Sequence, residues 1–496
     1  MPITNLTMQD IFLARKRIAP IARKTPLSHS PWLSELVDTQ VHLKLESLQE
    51  TGSFKIRGAA NKILSLSQDI RRRRAIAVSS GNHGRALSYV AQKSGVRATF
   101  VLPETVSERK REAIKELGAE LIVEGDTRDE TVEYHIDCFR FDLAAILRRD
   151  PWGAPLANPP LLEILAHDQI LGNCKLIAEA WDTGGLHQVD TFPDYGRWTE
   201  WNGKYRDTLR RFLKEDPGQV GAIAQCIQGS PNLYAGRGPI ASTNFITCHD
   251  GFTLANLVSY NHKHNDANDK DNRNGMDYNI SWNCGWEGPT DDPDINTLRR
   301  RQIKNALAML LVNQGVPMIL MGNETGRTKN GNNNTYCHDN KLNWLNWTLV
   351  EKNADLFQFT KNCIAFRQAH PVLRGNEFFC NEDYTGSGYA DITWHGTQAW
   401  HADRSDSNRV IVFMLCGKYV RGGTEVDNAL YIAMNMHWET LSFELPGLPE
   451  GVKCHVFANT SAAPPEDSWE PGTEPVLEDQ NRFLVGSRSV VILVSK

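Results

Sequence analysis

The amino-acid composition changes abruptly near residue 130 of this 496-residue chain. Residues 1–130 carry 21 Lys and Arg against 15 Asp and Glu, whereas the remainder carries 33 against 44. All ten cysteines and twelve of the thirteen tryptophans also follow that point. One hydrophobic core rarely shows such a division, and single cores stop growing near about 250 to 300 residues. The chain is therefore expected to fold as at least two units.

The sequence shows neither an apolar run of membrane-spanning length nor the residue order of a secretory signal. Its cysteines form no Cys-x-x-Cys pair, so reduced thiols and no metal site are predicted. The basic run at residues 71–74 lacks interleaved aromatic residues, which argues against a nucleic-acid partner. We expect a cytoplasmic protein without a membrane partner; a plastid location stays open if a transit peptide is missing.

The N-terminal part alternates apolar helical stretches with short β-rich runs, which is typical of an α/β fold with a mostly parallel sheet. Helices are predicted over residues 10–21, 55–66 and 107–117, and strands over residues 41–45, 75–78, 98–102 and 120–123. Lys55 follows a short turn at the start of a helix, where an amine keeps its proton less readily, as a Schiff base requires. Taken alone, such a lysine is more often a surface residue.

Residues 79–84, Ser-Ser-Gly-Asn-His-Gly, follow a strand and open a helix, so their backbone amides are placed to hold an anion. Together with Ser-Phe-Lys-Ile-Arg-Gly at residues 53–58, this stretch resembles the threonine dehydratase and serine racemase family of pyridoxal-phosphate enzymes. The resemblance covers residues 3–134. It implies that Lys55 is the Schiff-base lysine, that Phe54 packs near the cofactor, and that Asn82 bonds the ring hydroxyl.

That family holds the cofactor phosphate and the ring nitrogen with residues farther along the chain, and nothing after residue 134 matches them. Without the phosphate contacts, much of the binding and orientation of the cofactor is lost. We therefore expect residues 1–134 to form a truncated dehydratase-like domain. Pyridoxal phosphate at Lys55 is retained as an option, but dehydratase activity is not expected.

The second part repeats one design, in which an apolar strand-forming run ends at acidic or polar side chains. The four runs lie at residues 138–144, 175–181, 244–251 and 316–324, and they end at Asp142, Glu179, the His249–Asp250 pair, and Asn323–Glu324. A (β/α) barrel builds its active site from such strand ends. Two carboxylates flanking a glycosidic oxygen catalyse most glycoside hydrolysis. Arg140, on the same strand face as Asp142, would keep that carboxylate ionised.

This part resembles the α-amylase superfamily, and more narrowly the plant and algal isoamylase-type debranching enzymes. The resemblance is carried by residues 200–207, 249–254, 281–285 and 331–334 as well as by the strand ends. It implies Asp142 as nucleophile, Glu179 as general acid/base and Asp250 as a third carboxylate that gathers sugar hydroxyls. Arg140 and His249 would support them in binding an α-glucan, and no cofactor or metal is implied.

Three residues and one region depart from that family. Cys138 and Cys337 stand where glycine is usual, and Asn323 stands where aspartate is usual. The family's first conserved region, the strands before it and the N-terminal β domain find no match. The expected architecture is therefore α/β, with an incomplete (β/α)8 barrel of strands four to eight over residues 135–377. A β-sandwich is expected over residues 378–496.

The leading hypothesis is a retaining glycoside hydrolase of isoamylase type that cuts α-1,6 branches of starch or glycogen. Its activity is open to loss through truncation. One alternative is a pyridoxal-phosphate-dependent serine/threonine dehydratase or racemase. Another is a fusion product without catalysis, because both signatures stop or start at the same junction. The sequence leaves open whether the chain is an active enzyme.

Overall fold

The computed structural model describes residues 8–37, 39–66, 75–78, 82–102, 111–112, 115–123, 137–150, 152–168, 171–423 and 425–496. The chain divides into an N-terminal unit, Met1–Asp137, and a C-terminal unit, Cys138–Lys496. This division falls close to the change in composition. Within the described ranges, no helix is long and apolar enough to cross a membrane.

The N-terminal unit has the α/β organisation that the sequence predicts. Among the described residues, its helices are α1 (Met8–Ile18), α2 (Pro31–Leu36), α3 (Lys55–Ser65) and α4 (Asn82–Ser94), and its strands are β1 (Leu27–His29), β2 (His42–Lys44), β3 (Ala75–Val78), β4 (Ala98–Leu102) and β5 (Glu120–Val123). Strands β3, β4 and β5 form a parallel sheet, while β1 and β2 pair antiparallel. Helices α3 and α4 share a core that includes Ile56, Ala60 and Val90. The helix predicted at residues 107–117 lies partly outside the described residues.

A five-stranded parallel sheet forms the centre of the C-terminal unit. Its strands are β6 (Cys138–Phe141), β7 (Lys175–Ala178), β8 (Trp198–Trp201), β9 (Ser242–Phe245) and β10 (Val316–Met318). They are ordered β6-β7-β8-β9-β10, so neighbours in sequence are neighbours in the sheet. That order is typical of a (β/α) barrel, and five strands match the incomplete barrel expected from the sequence. Strand β8 is the one that no apolar run had indicated.

Helices follow these strands, and polar caps set where several of them begin. They are α5 (Pro160–His167), α6 (Gly203–Leu213), α7 (Val220–Ile227), α8 (Leu254–Leu257), α9 (Pro293–Val312), α10 (Leu349–Lys352) and α11 (Ala354–Ala369). Asn202, directly after β8, accepts the backbone N–H of Tyr205 at 2.8 Å and caps α6. Asp292 caps α9 in the same way, ahead of a proline at the first helical position. Strand β8 therefore passes into a helix within two residues.

The C-terminal strands form two antiparallel sheets that face each other, as expected of a β-sandwich. Strands β11 (Ile392–His395), β12 (Val410–Leu415), β13 (Leu430–Asn435), β15 (Cys454–Asn459) and β17 (Ser489–Ser495) form the larger sheet, and β14 (Leu441–Glu444) pairs with β16 (Arg482–Val485). Val412, Phe443 and Leu493 belong to the core between the sheets. Phe413 and Ile432, on the other face, share a core with Leu310 and Phe366. Because that core spans residues on both sides of 377, the division between residues 377 and 378 stays a prediction.

Candidate active site

The strand ends bring all five residues predicted for the glycosidase site into one cluster. Nη1 of Arg140 lies 2.5 Å from Oδ1 of Asp142, and Nη2 lies 2.8 Å from Oε2 of Glu179. Nε2 of His249 lies 3.4 Å from Oδ1 of Asp142 and 3.6 Å from Oδ1 of Asp250. They meet because β6, β7 and β9 are parallel, which places their carboxyl ends at one edge of the sheet. One guanidinium therefore bridges two carboxylates.

Glu179 occupies a different environment from the other two carboxylates. Its side chain is only 1% exposed, whereas those of Asp142 and Asp250 are 59% and 63% exposed. Burial raises the pKa of Glu179 above the ordinary 4.5, and the charge of Asp142 raises it further. The Leu143 N–H and the Arg140 charge act in the opposite direction on that pKa. A buried carboxyl that favours its protonated form beside an exposed carboxylate is the pairing that acid catalysis with a nucleophile requires.

Trp201 is a site residue that the sequence did not single out. Its indole lies 3.9 Å from Cζ of Arg140 and 5.7 Å from the His249 ring, measured between centroids for the second pair. Trp201 is buried at the end of β8, against Phe245 and Cys248. In the sequence Trp201 belongs to the motif at residues 200–207, and no apolar run there marks the end of a strand.

Lys329 holds the loop that carries His249 and Asp250 through a hydrogen bond to its backbone. The Lys329 ammonium donates to the backbone carbonyl of His249 at 3.1 Å, and burial lowers the pKa of this lysine to about 8. Asn323 supports the same loop, because its amide nitrogen donates to Thr247 Oγ1 at 2.6 Å and its amide oxygen accepts the Leu254 N–H at 3.1 Å. Asn323 is thus a buried support for the loop.

The residues predicted to hold pyridoxal phosphate are described less completely. Lys55 and Asn82 are the first residues of α3 and α4, and both side chains are exposed. Nζ of Lys55 lies 4.8 Å from the ring centroid of Phe54, whose side chain is itself 57% exposed. Residues 79–81 lie outside the described residues. Lys55, Phe54 and Asn82 are thus exposed in the part of the chain that the structure describes, and pyridoxal phosphate at Lys55 stays a prediction.

In fold, the chain is similar to pullulanases of known structure. Pullulanase from Bacillus acidopullulyticus is similar, with a TM-score of 0.50 at 17% identity over 83% of this chain and 48% of that chain. Pullulanase type I from Bacillus subtilis gives a TM-score of 0.51 at 17% identity, over 83% of this chain and 55% of that chain. At this identity the likeness is one of fold alone.

Sequence identity is higher to curated proteins named as isoamylases and glycogen operon proteins. The glycogen operon protein GlgX homolog of Mycobacterium tuberculosis is 45% identical over 328 residues, which is 64% of this chain and 45% of the relative. Isoamylase SU1, chloroplastic, of Zea mays is 43% identical over 367 residues, which is 68% of this chain and 44% of the relative. The chain spans about half the length of the curated relatives it matches.

A different family matches the beginning of the chain. The family model for pyridoxal-phosphate dependent enzymes covers residues 18–157, so its match runs past the division at residue 137. The chain therefore joins a segment similar to pyridoxal-phosphate enzymes to a longer segment similar to isoamylase-type debranching enzymes. Both resemblances predicted from the sequence are confirmed, although the first ends later than residue 134.

Proposed function

We propose that the C-terminal unit is a retaining glycoside hydrolase that cleaves α-1,6 branch linkages of an α-glucan such as starch or glycogen. The observation that carries this proposal is the Arg140 guanidinium, which bridges the exposed Asp142 and the buried Glu179. The curated relatives, named as isoamylases and glycogen operon proteins, support the substrate class. They include chloroplastic proteins and bacterial ones, which supports a plastid or a cytoplasmic location.

In the first step, Glu179 gives its proton to the glycosidic oxygen as the bond to the anomeric carbon breaks. Asp142 attacks that carbon and forms a covalent glycosyl-enzyme. In the second step, Glu179, now a carboxylate, removes a proton from water, and the water oxygen displaces Asp142 from the sugar. The two inversions restore the configuration of the anomeric carbon.

The remaining groups support these two carboxylates. Arg140 is positively charged next to Asp142 and favours the ionised nucleophile. Asp250 is exposed and free to accept hydrogen bonds from sugar hydroxyls, with His249 between it and Asp142. Pyridoxal phosphate has no part in this reaction, and the exposed Lys55 gives no support to a dehydratase.

A second candidate function is α-glucan binding without turnover. It is favoured by the exposure of Asp142 and Asp250, since charges next to bulk water stabilise a charged transition state less than charges in an enclosed site. The two candidates differ in one measurement. Turnover releases reducing ends from glycogen, whereas binding alone retards the protein in a gel that contains glycogen.

The test is hydrolysis of glycogen and amylopectin by the purified full chain, measured as the release of new reducing ends. We expect Asp142→Asn to lower kcat by at least about 10³-fold, because the nucleophile is lost. Asp291→Asn is the matched control, since Asp291 is an exposed aspartate in the loop before α9. Equal rates for wild type and Asp142→Asn would overturn the mechanism. An inactive wild type that still binds glycogen would favour the second candidate.

A further inference from the structure

Two tryptophans of strand β8 point to opposite faces of the sheet and have different surroundings. Trp198 lies against Phe141 and Phe192, and its indole nitrogen donates to the Leu162 carbonyl at 3.1 Å. These contacts are those of an ordinary core residue. Trp201, three residues later, lies on the face that carries Arg140.

The Arg140 guanidinium is held on its edge and on its face by different groups. Nη1 donates to Oδ1 of Asp142, Nη2 lies 2.8 Å from Oε2 of Glu179, and the Trp201 ring covers the guanidinium face with 3.9 Å between Cζ and the ring centroid. A planar cation stacked on an aromatic ring keeps its edge free for carboxylates. The same ring contacts His249, so one indole touches two residues beside Asp142.

The indole itself has little freedom to move. Its side chain is 6% exposed, and the Phe245 ring lies 5.3 Å away between centroids. Phe245 is fully buried and belongs to β9, the strand next to β8 in the sheet. Phe245 of the sheet thus packs against Trp201, and Trp201 packs against Arg140.

We infer that Trp201 is a positioning residue that fixes the Arg140 guanidinium between Asp142 and Glu179. This inference rests on the proposed hydrolase function for its kinetic consequence. The Trp201 ring lies on the face of the Arg140 guanidinium, so its effect passes through Arg140. Losing the ring should lower kcat and leave KM nearly unchanged, because the sugar contacts remain.

The test is a double-mutant cycle on the full chain with Trp201→Leu and Arg140→Lys. We expect Trp201→Leu to lower kcat about tenfold or more, with KM within about twofold, and Trp201→Phe to recover most of the loss because a ring remains. In the Arg140→Lys background the same change should have little further effect on kcat, because the stacked group is gone. Trp198→Phe is the matched control on the same strand, and its effect on kcat should add to that of Arg140→Lys.

Additive effects of Trp201→Leu and Arg140→Lys on kcat would overturn the positioning role. Non-additive effects on the urea midpoint of unfolding would not rescue it, because they report stability alone. If the wild-type protein hydrolyses no glucan, the proposed function fails. A crystal structure of Trp201→Leu then tests whether Trp201 fixes the position of the Arg140 guanidinium. Nη–carboxylate distances from Arg140 beyond hydrogen-bond range in that variant would support the inference. An unchanged guanidinium would overturn it.

Discussion

The backbone N–H of Leu143 donates to Oε2 of Glu179 at 2.7 Å, although the two residues follow different strands of the sheet. Leu143 has a φ of 45°, in the left-handed region that a leucine rarely adopts. The strain falls directly after Asp142, where the chain turns away from β6. The turn that exposes Asp142 thus also supplies a donor to the buried Glu179.

The first prediction concerns Glu179 as the acid. Glu179→Gln should lower kcat on branched glucans by about 10²- to 10⁴-fold, because the glycosidic oxygen then leaves without a proton. On α-maltosyl fluoride, whose leaving group needs no proton, Glu179→Gln should lower the rate of glycosyl-enzyme formation much less. Equal losses on the two substrates, measured by initial rates, would contradict the acid role. Glu351→Gln is a suitable control, since Glu351 is an exposed residue of helix α10.

The pH dependence of hydrolysis should reflect the same group. Burial raises the Glu179 pKa above 4.5, so Glu179 stays protonated to a higher pH than a free glutamic acid. Activity should therefore fall as pH rises through that raised pKa. The measurement is kcat against pH for wild type. An alkaline limb centred at or below pH 4.5 would contradict the assignment.

The glycosidase cluster was predictable from the sequence because parallel strands align their ends. Apolar runs that stop at Asp142, Glu179 and Asp250 identify one edge of one sheet, whatever the loops between them do. Strand β8 was not predicted, because its sequence, Trp-Thr-Glu-Trp, is not a continuous apolar run and its Glu200 is buried. The residue that pairs with that carboxylate, Arg237, lies 37 positions later, and no local pattern connects them.

Contacts between side chains of different strands could not be predicted from the sequence either. The stacking of Trp201 on Arg140 depends on the spacing of β6 and β8, which are separated by β7. The bond from Lys329 to the His249 carbonyl joins loops 80 residues apart. Individual strand ends can thus be located from the sequence, whereas the packing that orients their side chains depends on the assembled sheet.

The buried pair of Glu200 and Arg237 gives a prediction about stability. Nη1 of Arg237 lies 2.5 Å from Oε1 of Glu200, which is fully buried. Arg237→Met should lower the free energy of unfolding by about 3 to 5 kcal/mol, because it leaves a buried carboxylate without its cation. Arg273→Met is the control, since the Arg273–Asp271 pair is exposed and should contribute less than about 1 kcal/mol. Equal urea midpoints for the two variants would contradict this view of the core.

The last prediction concerns acid stability of the β-sandwich. His395 is buried, and burial lowers its pKa from 6.5 to about 4. In the unfolded chain this histidine takes up a proton below pH 6.5, whereas in the folded protein it stays neutral until about pH 4. Unfolding therefore becomes easier as pH falls through that window, by at most about 3 kcal/mol from this residue.

The neutral ring has a structural use, since Nδ1 of His395 accepts the backbone N–H of Trp400 at 2.9 Å. His395→Gln keeps an acceptor but removes the titration, so its loss of stability between pH 7 and pH 4.5 should be smaller than that of wild type. His401→Gln changes an exposed histidine and should follow the wild-type curve. The measurement is the urea midpoint at each pH. Parallel curves for wild type and His395→Gln would show that the acid sensitivity arises elsewhere, for example at His187, whose pKa burial also lowers.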